Sequence, residues 1–198
     1  MDHERLANYS FGEKIICLIA LIYTKLCWKQ ARLIRLPCFI RGKKAISYGS
    51  GFTTGYNCRI ECNGIITKKR LIIGVNCIIG DYAHIVANNE VVIGDNVLIA
   101  SRVFITDSNH GIYKGHVQSD PAIAPNQRMM HNNAVKIGNN VWIGENVSIL
   151  PGVNIEDGCI IGANSVVTQK ISRNSIAVGI PAKIIKKYDK TDKCWQSC

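Results

Sequence analysis

Residues 135–167 read VKIGNNVWIGENVSILPGVNIEDGCIIGANSVV. An isoleucine or valine recurs at Ile137, Ile143, Ile149, Ile155, Ile161 and Val167, each six residues after the last. Two residues before each stands a second small or apolar side chain: Val135, Val141, Val147, Val153, Cys159 and Ser165. A period of six matches neither an α-helix nor a plain alternating strand. It suits a short strand followed by a tight corner, three such units closing one triangular turn of a hexapeptide β-helix. The expected fold class is an all-β solenoid.

The same beat runs earlier in the chain, through Ile73, Ile79 and Ile85 and then Ile93, Ile99 and Ile105. Tyr48, Thr54, Ile60 and Ile66 extend it toward the N-terminus in weaker form. At roughly 18 residues per turn, the readable hexads make about five turns, enough for stacked repeats to close a core. Corners need left-handed backbone, which Asn and Gly supply most cheaply. Asn76, Asn96, Asn139, Asn140, Asn146 and Asn164 occupy that place in the repeat. The period does not reveal the hand of the coil.

Outside the beat, residues 1–36 carry apolar Ile15, Ile16, Ile19, Ile22, Tyr23 and Leu26 at helical spacing, with Pro37 as the stop. The run IICLIALIY (15–23) is far short of the ~20 residues a membrane span requires. It suits a buried helix or one lying on a membrane surface. Arg32, Arg35, Arg41, Lys43 and Lys44 follow it and keep contact with anionic lipid open. Pro181 and the run KIIKK (183–187) predict an extended piece and then a short C-terminal helix. The expected organisation is an N-terminal helical segment over 1–41, a coil domain over 42–170 and an extension over 171–198. The long interruption between Ile105 and Ile137 is read as a protruding loop, 111–133. A loop of that length in a compact repeat is usually functional.

The chain has 198 residues, 47% of them hydrophobic, and a formal charge of +10. That hydrophobic content excludes a disordered chain. No block of five like charges occurs, which argues against a nucleic-acid-binding tail. The basic residues gather near the two ends, so an anionic partner is expected, or a solvated basic rim. Nine scattered cysteines, mostly at apolar positions, read as reduced thiols of a cytoplasmic protein.

Five histidines are present: His3, His84, His110, His116 and His131. His110 closes the run ITDSNH (105–110), where the regular coils stop and the loop begins. An imidazole there can take a proton from a hydroxyl near neutral pH, or serve as a surface or capping residue. His84 immediately precedes an inward Ile85, so it faces outward, on the surface or along the same groove.

The runs IGDNVLIASR (93–102), FITDSNHG (104–111), VWIGENVSILPGV (141–153), IGANSVVT (161–168) and VGIPAKIIK (178–186) resemble the hexapeptide-repeat O-acetyltransferases. The closest resemblance is to the maltose and galactoside acetyltransferase type, and within it to enzymes of O-antigen, capsule and colanic-acid synthesis. It covers about residues 37–188. It implies a left-handed parallel β-helix, a homotrimer with active sites between neighbouring prisms, acetyl-CoA as co-substrate and a sugar hydroxyl or lipid-linked oligosaccharide as acceptor. No metal is implied. His110 matches the family's catalytic histidine. Trp142 matches a tryptophan beside the reacting acyl group, with packing at a trimer seam as the alternative. Asn88 stands where relatives carry a polar substrate-binding residue; His84 and Asp107 are assigned to the same groove, and Asp107 or a loop carbonyl is expected to orient His110. Gly144, Glu145, Ala163, Thr168, Lys183 and Lys186 match positions lining the CoA groove. Glu145 departs from the pattern, since an acid is unhelpful beside phosphates. Two other readings stay open: a metal hydratase like the γ-type carbonic anhydrases, which needs three convergent histidines, and a non-catalytic β-helix scaffold.

Overall fold

The computed structural model describes residues 9–64 and 68–198. Ile66 and His3 lie outside the described residues, as do the first eight positions of the expected helix.

From Leu33 the chain visits three parallel sheets in strict rotation. Leu33–Ile34, Cys38–Arg41 and Ile46–Tyr48 begin the nine-, six- and five-stranded sheets, and Thr53–Thr54 returns to the first, hydrogen-bonded to Leu33–Ile34. Each circuit lies directly on the last, and the beat of the sequence becomes the register. Ile79 pairs with Ile99, Ile99 with Ile143 and Ile143 with Ile161. Ile60, Ile85, Ile105, Ile149 and Val167 make a second column, and Ile73, Ile93, Ile137 and Ile155 a third. All are buried. At about 1.5–3 kcal/mol for each fully buried aliphatic side chain, these columns are the main source of stability.

The corners follow the expected chemistry. Asn76, Asn96, Asn140, Asn146 and Asn164 all have φ between 55° and 58°. Their amides stack in ladders, Asn76 to Asn96 and Asn96 to Asn140 at 3.3 Å, Asn146 to Asn164 at 3.2 Å. Asn139 departs from the expectation. It has no positive φ; its Oδ1 accepts from the Asp95 amide at 2.7 Å, tying one circuit to the next.

Both ends differ from the sequence reading. The helix α1 spans Phe11–Cys27 and stops well before Pro37. It begins with a capping box between Ser10 and Glu13. Beyond it, Leu33 and Ile34 are drawn into the first circuit, where the Ile34 amide donates to Thr24 Oγ1 at 2.8 Å. The coil thus starts ahead of the expected boundary at 42. At the other end there is no short helix. Ala182–Asp189 and Cys194–Ser197 are antiparallel strands added to the nine-stranded sheet. An edge strand offers unpaired backbone groups, and pairing with them wins over helix formation in so short a segment.

The loop is not structureless. Ser108–His110 and Met130–Asn132 form a two-stranded antiparallel hairpin that closes its base. Arg128 cross-ties the interior, donating to Ile123 O at 2.8 Å, Pro121 O at 3.1 Å and Tyr113 Oη at 2.9 Å.

Candidate active site

His110 ends the outgoing strand of the hairpin, opposite Met130, and is exposed. Its carbonyl accepts from the Tyr113 hydroxyl. In an antiparallel pair, facing residues point to the same side. His110, Met130, Ser108 and Asn132 therefore share one face, and Asn109 and His131 the other. The second face opens on a cavity of about 190 Å³ whose lining includes Asn109, Tyr113, His131, Asn133 and Pro151. His131 was not singled out from the sequence; only the register of the hairpin puts it on a cavity.

Asp107, one residue before the hairpin, is fully buried. Its carboxylate accepts from the Asn88 amide at 3.0 Å, the Asn89 and Glu90 amides at 2.7 Å, and Ser108 Oγ at 2.6 Å. Both oxygens are occupied, so Asp107 neither orients His110 nor meets a substrate. It pins the corner that carries Asn88, a correction to its expected role. Asn88 Nδ2 donates to Ser108 Oγ at 2.9 Å, while its Oδ1 is enclosed without a hydrogen-bond partner among the described residues. Asn88, Asp107, Ser108 and the base of the His110 strand thus form one connected support.

His84 belongs to a different cluster. Its Nε2 lies 3.0 Å from Glu61 Oε2, and its ring packs against Phe104 with centroids 5.4 Å apart. Glu61 is also bound by Arg59 at 2.9 Å and Arg41 at 2.5 Å. Hydrogen bonding to Arg59 first, then to His84, holds the Glu61 carboxyl below its ordinary value.

Trp142 lies on another face, half-exposed in the nine-stranded sheet. Because Ile143 points inward, Trp142 points outward. It stands in direct register with Leu98 on one side and with Ile160, Ile176 and Lys186 in succession on the other. Lys183 joins this row through an irregularity. Val178 faces Lys183, Ala177 faces Ile184 and Ile176 faces Lys186, with the register slipping between Ile176 and Ala177. Residues three apart on a regular strand point to opposite sides. The extra residue, Ile185, brings Lys183 and Lys186 to the same outer side. Three inter-strand steps of about 4.8 Å set Lys186 ~14 Å from Trp142.

The remaining predicted positions lie along the same end of the coil. Gly144 is buried, and a Cβ there would meet the Ala163 amide nitrogen at 2.6 Å, so glycine is required for the circuits to stack. Ala163 and Thr168 are exposed. Glu145 turns to Arg102 in an ion pair of 2.8 Å, and its own carbonyl accepts from the Asn164 amide. The unexpected acid is thereby neutralised by a neighbour.

Burial pushes the Cys58 thiol up to about 12 and those of Cys38 and Cys62 up to about 11, so these three stay protonated and are poor nucleophiles. Among the described residues no three His, Cys, Asp or Glu side chains converge as a metal-binding group.

The family described as bacterial transferase hexapeptide (six repeats) matches residues 134–169. A protein of Escherichia coli K12 named for O-acetyl transfer in lipopolysaccharide biosynthesis, WbbJ, is 42% identical over 88% of this chain and 88% of its own length. The dTDP-4-amino-4,6-dideoxy-D-glucose acyltransferase of Escherichia coli is 34% identical over 74% of this chain and 78% of its own. Among solved structures, a mutant of AntD, an N-acyltransferase from Bacillus cereus in complex with dTDP and coenzyme A, superposes with a TM-score of 0.68 at 22% identity, covering 93% of this chain and 91% of that one. That likeness bears on the fold. With the repeat, the register and a relative aligned over most of both lengths, the chain belongs to the hexapeptide-repeat O-acetyltransferases.

Proposed function

We propose that the protein transfers the acetyl group of acetyl-CoA to a hydroxyl of a sugar, in a cell-surface polysaccharide or its lipid-linked precursor. One observation carries it. The outward row of the nine-stranded sheet runs from Trp142 through Ile160 and Ile176 to Lys186, with Lys183 brought alongside by the bulge. An apolar strip that ends in two cations suits a ligand with an apolar acyl arm and an anionic, phosphorylated end. Gly144, Ala163 and Thr168 border the same end of the coil and are read as backbone and surface contacts of the co-substrate. Glu145 contributes through its backbone, its side chain being committed to Arg102.

His110 is the general base in this reading. Its imidazole takes the proton of the acceptor hydroxyl as that oxygen attacks the thioester carbonyl. The carbon–sulfur bond then breaks, and the CoA thiolate leaves and is protonated. The indole N–H of Trp142 or a backbone amide steadies the oxyanion. Asn88, supported by Asp107 and Ser108, is assigned to acceptor binding, and His84 to the groove beside it.

His110 and Trp142 belong to different faces of one coil. A left-handed parallel β-helix assembled as a homotrimer would bring the His110 face of one prism to the Trp142 face of the next. We place the work in the cytoplasm, peripheral to the inner face of the membrane. The test is acetyl transfer from acetyl-CoA to a panel of free and lipid-linked sugars. Transfer by the wild type and its loss in a trimeric His110→Ala protein supports the assignment. Undiminished transfer by that variant overturns the role of His110. No transfer to any sugar, with free CoA released by water alone, overturns the acceptor class.

A further inference from the structure

Helix α1 packs inside out. The side chains it buries are the small ones, Cys17, Ala20 and Thr24. Its large apolar side chains face solvent: Phe11 at 80% exposure, Ile15 at 44%, Ile16 at 47%, Leu18 at 57%, Ile19 and Ile22 at 54%, and Leu26 at 74%. At about 100° of turn per residue six of these seven lie within a stripe about 100° wide, and Ile16 extends it by about 60° beyond Ile19. Lys14 and Lys25 fall together along one border of the stripe, about 20–40° beyond Leu18 by the same turn. The inward side is closed: Thr24 Oγ1 donates to Ala20 O at 2.6 Å and accepts from the Ile34 amide. The helix cannot roll to bury the stripe without breaking that contact.

Charge says what covers it. Between residues 9 and 58 the chain carries Lys14, Lys25, Lys29, Arg32, Arg35, Arg41, Lys43 and Lys44 against one acid, Glu13. Glu13 is committed to the capping box at the helix start. An apolar stripe bordered by lysines, on a strongly cationic end of the molecule, opposes a second copy of itself and complements anionic headgroups. A helix of 17 residues is about 26 Å long, and none of the described helices is long and apolar enough to cross a membrane. It has the features of one lying in the interface, aliphatic side chains among the acyl chains and lysine ammonium groups at the headgroups.

We infer that α1 is an in-plane anchor that docks the protein on an anionic lipid bilayer. This deepens the peripheral-membrane part of the function proposed above. Its test needs neither acetyl-CoA nor acceptor, so the two stand or fall separately. The full-length protein is sedimented with phosphatidylcholine vesicles and with phosphatidylcholine–phosphatidylglycerol vesicles of roughly 3:1 composition. The expected result is binding to the anionic vesicles at least about tenfold stronger than to neutral ones, weakening as salt rises. Ile15→Ser with Ile19→Ser and Ile22→Ser should lower that binding at least about tenfold, and Lys14→Glu with Lys25→Glu likewise. These side chains are exposed, so both variants should keep the wild-type melting temperature. Three results would each overturn the inference: wild type left in the supernatant with anionic vesicles, equal binding to neutral vesicles, or the isoleucine variant binding as the wild type does. A change in subunit count caused by the isoleucine variant, seen by light scattering, would overturn it too, by showing that another copy covers the face.

Discussion

Ile143 and Trp142 are neighbours in sequence, yet their side chains face opposite ways, one into the core and one outward, and replacing each by alanine separates the two. Ile143 is fully buried, in register between Ile99 and Ile161. Ile143→Ala removes three carbons, about 2.4 kcal/mol at ~0.8 kcal/mol for each. The column above and below is held by backbone pairing and cannot collapse into the space, so a cavity cost adds to this. The expected total is about 3–4 kcal/mol, inside the usual range for such changes. For a chain of this size that corresponds to a fall in melting temperature of roughly 6–15 °C. Trp142 is 51% exposed. Trp142→Ala should cost less stability than Ile143→Ala, about 1–2 kcal/mol, since about half of the indole is already in solvent. It should nevertheless reduce acetyl transfer and raise the KM for acetyl-CoA. Thermal and urea unfolding followed by circular dichroism measure the first quantity, and initial rates the second. An Ile143→Ala protein as stable as the wild type would refute the stacked-column account. A Trp142→Ala protein that loses several kcal/mol would show that the indole holds the fold rather than a ligand.

His110→Ala should lower turnover by roughly 10²–10⁴-fold with acetyl-CoA binding intact, the usual loss for a general base; isothermal titration and rate measurements on the same sample check both halves. Lys183→Glu with Lys186→Glu should weaken acetyl-CoA binding at low salt and much less at high salt, because exposed charges are screened within ~8 Å at physiological ionic strength. An affinity that ignores the double reversal at low salt would remove these lysines from the site. The Glu61 carboxyl is held below its ordinary value by Arg59 and His84. Its stabilising contribution is therefore present above the ordinary carboxylate range and is lost as pH falls through the lowered value. Glu61→Gln should make stability less dependent on pH in that acid window, and an unchanged slope below pH ~4.5 would contradict this.

The six-residue beat determined a great deal without any coordinates. Where a side chain recurs at one corner-to-corner distance, backbone pairing and burial leave one arrangement that stacks them all, so the columns through Ile99, Ile143 and Ile161 were legible as a spacing. Corner asparagines were legible for the same reason, because few residues tolerate positive φ. His110 stands out in the sequence as a candidate because it lies where the beat fails. Other features were decided only in three dimensions. Asp107 reads as a polar neighbour of His110, but burial and three backbone amides make it a support for Asn88. Lys183 and Lys186, three apart, gain a common face only from a register slip that no pattern announces. The ends depart from local propensity where an available sheet edge competes with it, as in the strand over Ala182–Asp189. The helix α1 was legible as a helix, but not the direction it faces. Apolar residues line more than one side of it, and the contact of Thr24 with the Ile34 amide chose which side turned inward.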